Sequence, residues 1–167
     1  MTSVQEARIR KTKLFYEDRA KFMQMLEKDI DLHIKSSIKR GMIPCIRLNG
    51  TSDIPWERFV VRDDKNIMEL FPQIQFYDYT KRTSRHSIPA NYHLTFSLAE
   101  NNHAEALQML KRGVNVAAVF RQPPEIFWEH PVIDGDETDL RFLDPSVCVV
   151  GLKAKGKAKK DTSGFVI

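Results

Sequence analysis

The chain has 167 residues, of which 42% are hydrophobic and 29% are charged, and its formal net charge is +4. These proportions are typical of a single globular domain, and no apolar run approaches the roughly 20 residues of a membrane-spanning helix. The N-terminus also lacks the apolar segment of a signal peptide, so we expect a cytoplasmic protein without a membrane partner.

Cysteine and histidine positions give no sign of a cofactor. Cys45 and Cys148 lie far apart inside apolar runs, which favours buried, reduced thiols over a disulfide or a metal site. Two cysteines cannot hold an iron–sulfur cluster unaided, and the histidines show no metal-ligand spacing. We therefore expect neither a metal nor another cofactor.

The first predicted element is helical and covers residues 1–40. Apolar residues recur every four positions from Phe22 to Ile38, and Gly41 followed by Pro44 supplies a stop. The pattern predicts one long helix, or two consecutive helices, packed against the rest of the protein. Basic residues are concentrated near its start, at Arg8, Arg10, Lys11 and Lys13.

Five short apolar segments follow, each of strand length and each ending in polar residues. They lie within residues 43–53, 74–82, 92–102, 115–122 and 147–156. Helix-like stretches at 66–72 and 101–113 separate some of them. This alternation predicts an α/β fold with a mainly parallel sheet of about five strands, open or partly closed as a β/α barrel. The predicted single domain, 1–167, contains the helical segment (1–40), a β/α core (43–155) and a basic C-terminal segment (156–167).

Polar residues at the ends of these strands form a candidate anion site, because ligands collect beyond the carboxyl ends of parallel strands. The predicted anion-binding residues are Arg47, Asn49, Lys81, Arg121, Lys153 and Lys155. The polar residues expected to support them are Ser52, Asp53, Asp78, Thr80, Ser97, Glu100 and Asn101. The alternative is that these residues are polar only because the chain reaches the surface after each strand.

Basic charge is concentrated at the two ends of the chain. Nine of the 26 basic residues lie there, which leaves 17 basic against 22 acidic residues elsewhere. Basic terminal clusters are typical of proteins that bind phosphate-rich partners, although they are also typical of solvated surfaces. The predicted nucleic-acid contacts are Arg8, Arg10, Lys11, Lys13, Lys157, Lys159 and Lys160.

The acidic segment from Asp134 begins like a calcium loop, but it has Asp139 instead of the sixth-position glycine and Pro145 instead of the final glutamate. An EF-hand is therefore excluded. Asp134, Asp136 and Asp139 could hold magnesium, whereas a solvated turn or a partner for the lysine-rich loop is the favoured interpretation. The aromatic residues Trp56, Tyr77 and Tyr79 could stack on bases or belong to the core.

Long segments of the chain together resemble a known family: RLNGTSDIPWE, FYDYTKR, YHLTFSLAENN, PVIDGDETDLRFLDP and GLKAKGKAKKDTSGFV. This is the gene-product-88-like family, an uncharacterised group of phage- and plasmid-encoded proteins with a domain of unknown function. The resemblance covers nearly the whole chain and implies a phage or mobile-element setting. It also implies a distant similarity to β/α barrels of the radical-SAM type. The members compared carry a cysteine-rich segment before the point where this chain begins, so we expect no iron–sulfur chemistry here.

Two functions remain open. The first is an accessory protein that binds nucleic acid, or a nucleic-acid-handling host complex that it would inhibit, in the host cell cytoplasm. The second is a small enzyme, or the remnant of one, that acts on a phosphorylated or anionic small molecule at the strand ends. The sequence contains no nucleophile elbow, Walker loop or zincin signature. It therefore favours the first function.

Overall fold

The computed structural model describes residues 3–167. Its helices are α1 (Ser3–Glu17), α2 (Arg19–Lys39), α3 (Ile67–Leu70) and α4 (His103–Lys111). Its strands are β1 (Cys45–Ile46), β2 (Val60–Arg62), β3 (Lys65–Asn66), β4 (Gln75–Thr80), β5 (Tyr92–Ser97), β6 (Val116–Phe120), β7 (Ile126–Phe127), β8 (His130–Asp134) and β9 (Val149–Lys153). Short 3-10 helices cover Trp56–Arg58, Arg141–Leu143 and Gly156–Lys160. Within this described range, no helix has the length and apolar character needed to cross a membrane.

The chain divides into two compact units. The first contains the residues up to Cys45 together with Trp56–Ile74, and the second contains Ile46–Pro55 together with Gln75–Ile167. The predicted N-terminal helical segment thus lies in the first unit, and the predicted strand ends lie in the second. The organisation of residues 1–167 as a single domain stays a prediction.

The N-terminal helical segment forms two consecutive helices. Asp18 separates them, and its carboxylate accepts a hydrogen bond from the Lys21 backbone N–H at 3.0 Å, which makes it the N-cap of α2. Gly41 ends α2 with a φ of 68°, and the Met42 N–H donates to the Ser37 carbonyl at 2.9 Å. This is a Schellman motif, so the stop predicted at Gly41 is confirmed.

Aromatic rings form the core of the first unit. The Phe15 ring lies edge-on to Phe22, Trp56 and Phe59, with centroid distances of 5.3, 5.6 and 5.6 Å. The Arg19 guanidinium lies 4.9 Å from the centroid of Phe15. Only 4% of Trp56 is exposed, so this residue belongs to the core and is not available for stacking on a base.

The second unit is built on an open sheet with the strand order β1-β4-β5-β6-β9-β8-β7. The four neighbouring pairs from β4 to β8 are parallel, and β7 pairs antiparallel with β8. Five strands are therefore joined in parallel. The prediction of an α/β fold with a mainly parallel sheet is confirmed, and the sheet does not close into a barrel.

Helix α4 provides the crossover between β5 and β6. Its buried residues Ala106 and Leu110 pack in one cluster with Phe96 and Val116 of those strands. Gly113 turns the chain away after the last residues of the helix, and its φ of 85° strongly favours a residue without a side chain. This confirms the crossover connection expected for neighbouring parallel strands.

Strand β8 was missed by the sequence analysis, which interpreted its final residue as the start of an acidic loop. It pairs in parallel with β9, and the turn that follows lies tightly against that strand. A Cβ added to Gly135 would lie 2.5 Å from the Val150 Cγ1 and 2.9 Å from the Leu152 Cδ2. Glycine is therefore needed at 135 for close packing.

The C-terminus folds back onto the sheet, as its large apolar residues suggest. Strands β5 and β6 pair only at Phe96–Val116 and Ser97–Ala117. Further along β6, Val119 forms a parallel bridge with Val166, of which 8% is exposed. The chain from Lys153 onward is thus an ordered part of the second unit.

Candidate functional site

A cavity of about 360 Å³ lies at the carboxyl ends of β4 and β5, within the second unit. Its lining residues are Arg47, Asn49, Gly50, Thr51, Ser52, Asp53, Tyr79, Thr80, Lys81 and Ser97. Seven of these ten were predicted as site residues: Arg47, Asn49, Ser52, Asp53, Thr80, Lys81 and Ser97. We call this space the rim cavity.

Asn49 shapes the loop that forms one wall of the rim cavity. Its side-chain oxygen accepts hydrogen bonds from the Ser52 hydroxyl at 2.8 Å and the Ile54 N–H at 3.0 Å. Its side-chain amide donates to the Ile54 carbonyl at 3.0 Å. Asn49 therefore organises the loop, and these bonds leave Gly50 and Thr51 at the exposed tip.

Asp53 ties the far end of this loop to the end of β4. One carboxylate oxygen accepts a hydrogen bond from the Thr80 hydroxyl at 2.8 Å, and the other accepts one from the Lys81 N–H at 2.8 Å. The Arg82 Nε also donates to the Asp53 carbonyl at 3.0 Å. The carboxylate thus faces donors on both oxygens, which reduces its repulsion of an anion in the cavity.

Asp78 holds the near end of the loop from inside the sheet, where it is fully buried. It accepts hydrogen bonds from the Asn49 N–H at 2.7 Å and the Tyr92 hydroxyl at 2.8 Å. Burial raises the pKa of Asp78 to about 6, although the bonds from Asn49 and Tyr92 oppose the rise. Asp78 therefore holds Asn49 in the cavity wall but does not itself line the cavity.

Arg85, which was not predicted from the sequence, pairs with Asp53 and is connected to Asp78 through the Tyr92 hydroxyl. Its side chain is 3% exposed and donates to the Tyr92 hydroxyl at 3.2 Å. Its other terminal nitrogen lies 3.4 Å from both the Asp53 Oδ1 and the Thr80 Oγ1. No sequence pattern identifies Arg85, because it lies in the irregular loop between β4 and β5 and its ion-pair partner Asp53 is 32 residues away.

Arg47, Tyr79 and Asp139 form a second polar cluster at the rim cavity. The Arg47 guanidinium lies 4.6 Å from the centroid of the Tyr79 ring and donates to the Asp139 Oδ2 at 2.8 Å. The Tyr79 hydroxyl donates to the other oxygen of Asp139 at 3.1 Å. Asp139 therefore orients both side chains. Across residues 3–167, no group of three or more potential ligands is arranged to hold a metal ion.

Lys81 contributes the second cation of the cavity lining. Its Nζ lies 6.0 Å from the centroid of the Phe165 ring, and no described carboxylate forms an ion pair with it. The cavity lining has two cationic side chains, Arg47 and Lys81, and one carboxylate, Asp53. The local balance is therefore positive.

Three predicted anion-binding residues do not line the rim cavity. Arg121 donates to the carbonyls of Lys159 and Asp161 at 3.0 and 2.7 Å, which holds the C-terminal segment in place. The Lys155 Nζ pairs with the Asp136 Oδ1 at 2.9 Å, and the Lys153 N–H donates to the Asp136 Oδ2 at 3.0 Å. These contacts agree with the interpretation of the acidic turn as a partner of the lysine-rich loop.

The remaining predicted residues are dispersed. Glu100 and Asn101 are exposed after β5, where the Asn102 side chain, and not Asn101, bonds to the loop backbone. Successive residues of a helix are rotated by about 100°, so the exposed cations of α1 (Arg8, Arg10, Lys11 and Lys13) are spread around its axis. The C-terminal lysines Lys157, Lys159 and Lys160 are exposed in the last 3-10 helix.

Comparison with known proteins identifies the family. A family model described as "Gene product 88" matches residues 1–167. The chain belongs to the gene product 88 family. This confirms the resemblance to a phage-type family, whereas the likeness to radical-SAM barrels and the cysteine-rich preceding segment stay predictions. Neither the search of curated proteins nor the search of solved structures found a match.

Proposed function

We propose that the protein is a phage or mobile-element accessory protein that binds a phosphorylated or otherwise anionic small molecule in the rim cavity, in the host cytoplasm. The lining of this cavity is the observation that carries the proposal. It contains two cations, Arg47 and Lys81, and a single carboxylate, Asp53, which already accepts hydrogen bonds on both oxygens. Its volume of about 360 Å³ is within the range of small-molecule sites.

The wall of the cavity is held in place before any ligand arrives. Asn49 closes the loop on itself, while Asp53 and Asp78 attach its two ends to β4. Preorganisation of this kind lowers the entropy cost of binding. The exposed hydroxyl of Thr51 and the Lys81 ammonium then supply donors for phosphate oxygens.

The geometry supports binding better than the alternative of an enzyme or enzyme remnant. The Ser52 hydroxyl donates to the amide oxygen of Asn49, and an amide is not a general base. Thr80, whose hydroxyl does donate to a carboxylate, is 2% exposed. The favoured role of the cavity is therefore recognition of a ligand.

Calorimetric titration with ribose 5-phosphate tests this proposal. Lys81→Ala should weaken binding by about tenfold or more, because charge-assisted hydrogen bonds contribute roughly 1.5–3 kcal/mol. Lys111→Ala, which removes an exposed lysine from α4 in the same unit, is the matched control and should bind like the wild type. Equal affinities for all three proteins, or no binding to the wild type, would refute the proposal.

Binding of nucleic acid, or of a nucleic-acid-handling host complex that it would inhibit, is the second candidate. The favouring observation is the exposure of Lys157, Lys159 and Lys160 at a segment that Arg121 holds in place. Ordered, exposed lysines can contact successive phosphates. The exposed cations of α1 add to the positive charge, although their spread around the helix does not favour one contact surface.

Measuring DNA affinity at several salt concentrations distinguishes nucleic-acid binding from the alternative that these lysines are only a solvated surface. Replacing Lys157, Lys159 and Lys160 by glutamate should weaken binding to single-stranded DNA and reduce the slope of log affinity against log salt. The same changes at Arg8, Arg10, Lys11 and Lys13 test α1 separately. If affinity and slope are unchanged in both variants, these residues are a solvated surface.

A further inference from the structure

We propose that the ligand of the rim cavity is a nucleoside phosphate whose base stacks on the guanidinium of Arg47. This inference rests on the proposed function and names the ligand class. The cavity has two unlike cations, a planar guanidinium at Arg47 and a compact ammonium at Lys81. A planar guanidinium suits a flat base, whereas a compact ammonium suits a phosphate, so the two cations fit a ligand that has both groups.

The Arg47 guanidinium already has a carboxylate partner. Its Nη1 donates to the Asp139 Oδ2 at 2.8 Å, and Asp139 also accepts a bond from Tyr79. A phosphate at this position would lie near the Asp139 carboxylate, which would repel it. Arg47 is therefore a poor anchor for phosphate, and Lys81, which has no ion-pair partner among the described residues, is the better one.

The plane of Arg47 is fixed, which makes it a suitable stacking surface. The Tyr79 ring covers one side at 4.6 Å, and Asp139 holds one edge. The side chain remains 31% exposed and lines the cavity. Arginine planes and aromatic rings are the surfaces on which proteins stack nucleobases. A base would then lie against the side of Arg47 that faces away from Tyr79.

The remaining lining suits the other parts of such a ligand. The hydroxyls of Thr51 and Ser97 and the Lys81 ammonium can donate to phosphate and ribose oxygens, and the Ser52 oxygen can accept from a ribose hydroxyl. A simple sugar phosphate would use these donors and leave the Arg47 surface exposed to water. Contact between the base and Arg47 would thus make the cavity prefer a nucleoside phosphate to a simple sugar phosphate.

Calorimetry with AMP and ribose 5-phosphate tests the inference. The wild type should bind AMP about tenfold more tightly than ribose 5-phosphate, because the two probes differ by the base. Arg47→Lys keeps a cation that can pair with Asp139 but removes the plane, so it should abolish this preference and leave ribose 5-phosphate affinity within about twofold. Arg112→Lys, an exposed arginine in the same unit, is the matched control and should keep the preference.

Each outcome has one meaning. If the wild type binds both probes equally, the stacking inference is wrong and the proposed function stands; if it binds neither, both are wrong. If Arg47→Lys weakens both probes equally, the guanidinium contacts the ribose phosphate that the probes share and not the base, which also overturns the inference. A measurement on the unaltered protein adds a second check: nuclear Overhauser effects should connect adenine protons with the Arg47 side chain, and their absence in the AMP complex would overturn the stack.

Discussion

Replacing the buried carboxylate of Asp78 by an amide should remove a specific pH dependence of stability. Asp78 is fully buried, and its pKa is raised by burial to about 6. In the unfolded chain, an aspartate has a pKa of about 3.9. Between these two values the native protein retains a proton that the unfolded chain has released.

The sign and size of the effect follow from this difference. Below about pH 3 Asp78 is protonated in both states, and its favourable contribution is fully present. As the pH rises from about 4 through about 6, the unfolded state is increasingly favoured. A shift of about two pKa units corresponds to a loss of about 3 kcal/mol in the free energy of unfolding.

Asp78→Asn is the appropriate variant, because its side-chain oxygen can still accept the bond from the Asn49 N–H. Urea unfolding at pH 4, 5, 6 and 7 should show that the free-energy difference between wild type and variant changes by about 2 kcal/mol across this range, because part of the total effect is already lost at pH 4. Taking the difference cancels the titration of groups common to both proteins. Glu100→Gln, at an exposed position, should give a nearly constant difference. A constant difference for Asp78→Asn as well would refute the reasoning.

Two further predictions concern stability. Gly135→Ala should lower the free energy of unfolding by about 1–3 kcal/mol, because its Cβ would lie 2.5 Å from the Val150 Cγ1. Gly50→Ala is the control, since no atom lies within 4 Å of its Cβ. Equal losses for the two variants would contradict the packing argument. Asp18→Ala should cost about 1 kcal/mol, because it removes the bond that caps α2. Thermal unfolding measures this loss, with Glu17→Ala as the control variant. An unchanged unfolding midpoint for Asp18→Ala would exclude a capping role.

Local patterns were sufficient to predict the parallel core of the sheet. Strands β4, β5, β6 and β9 all lie inside predicted segments, because each is a short apolar run that ends in polar residues. The ends of α2 and α4 were also predictable, since both depend on glycines at positive φ, Gly41 and Gly113. Strand β8 was not, because none of its five residues is fully buried and one of them is Pro131.

The candidate site was predictable in its composition but not in its grouping. Polar residues could be assigned to strand ends, and seven of them line the rim cavity. Which strand ends are neighbours depends on strand order, and β8 places Asp136 beside the lysine-rich loop, where it pairs with Lys155. The role of Arg85 depends on contacts with Tyr92 and Asp53, which no local pattern reveals.

The most direct test of the rim cavity is a titration of the isotopically labelled protein with ribose 5-phosphate, followed through the backbone amide signals in nuclear magnetic resonance spectra. Binding in the cavity predicts that the largest shifts occur at Gly50–Asp53, Lys81 and Ser97, which line it. Shifts confined to Lys153–Lys160 or to α1, with the loop at Gly50–Asp53 unchanged, would contradict this account.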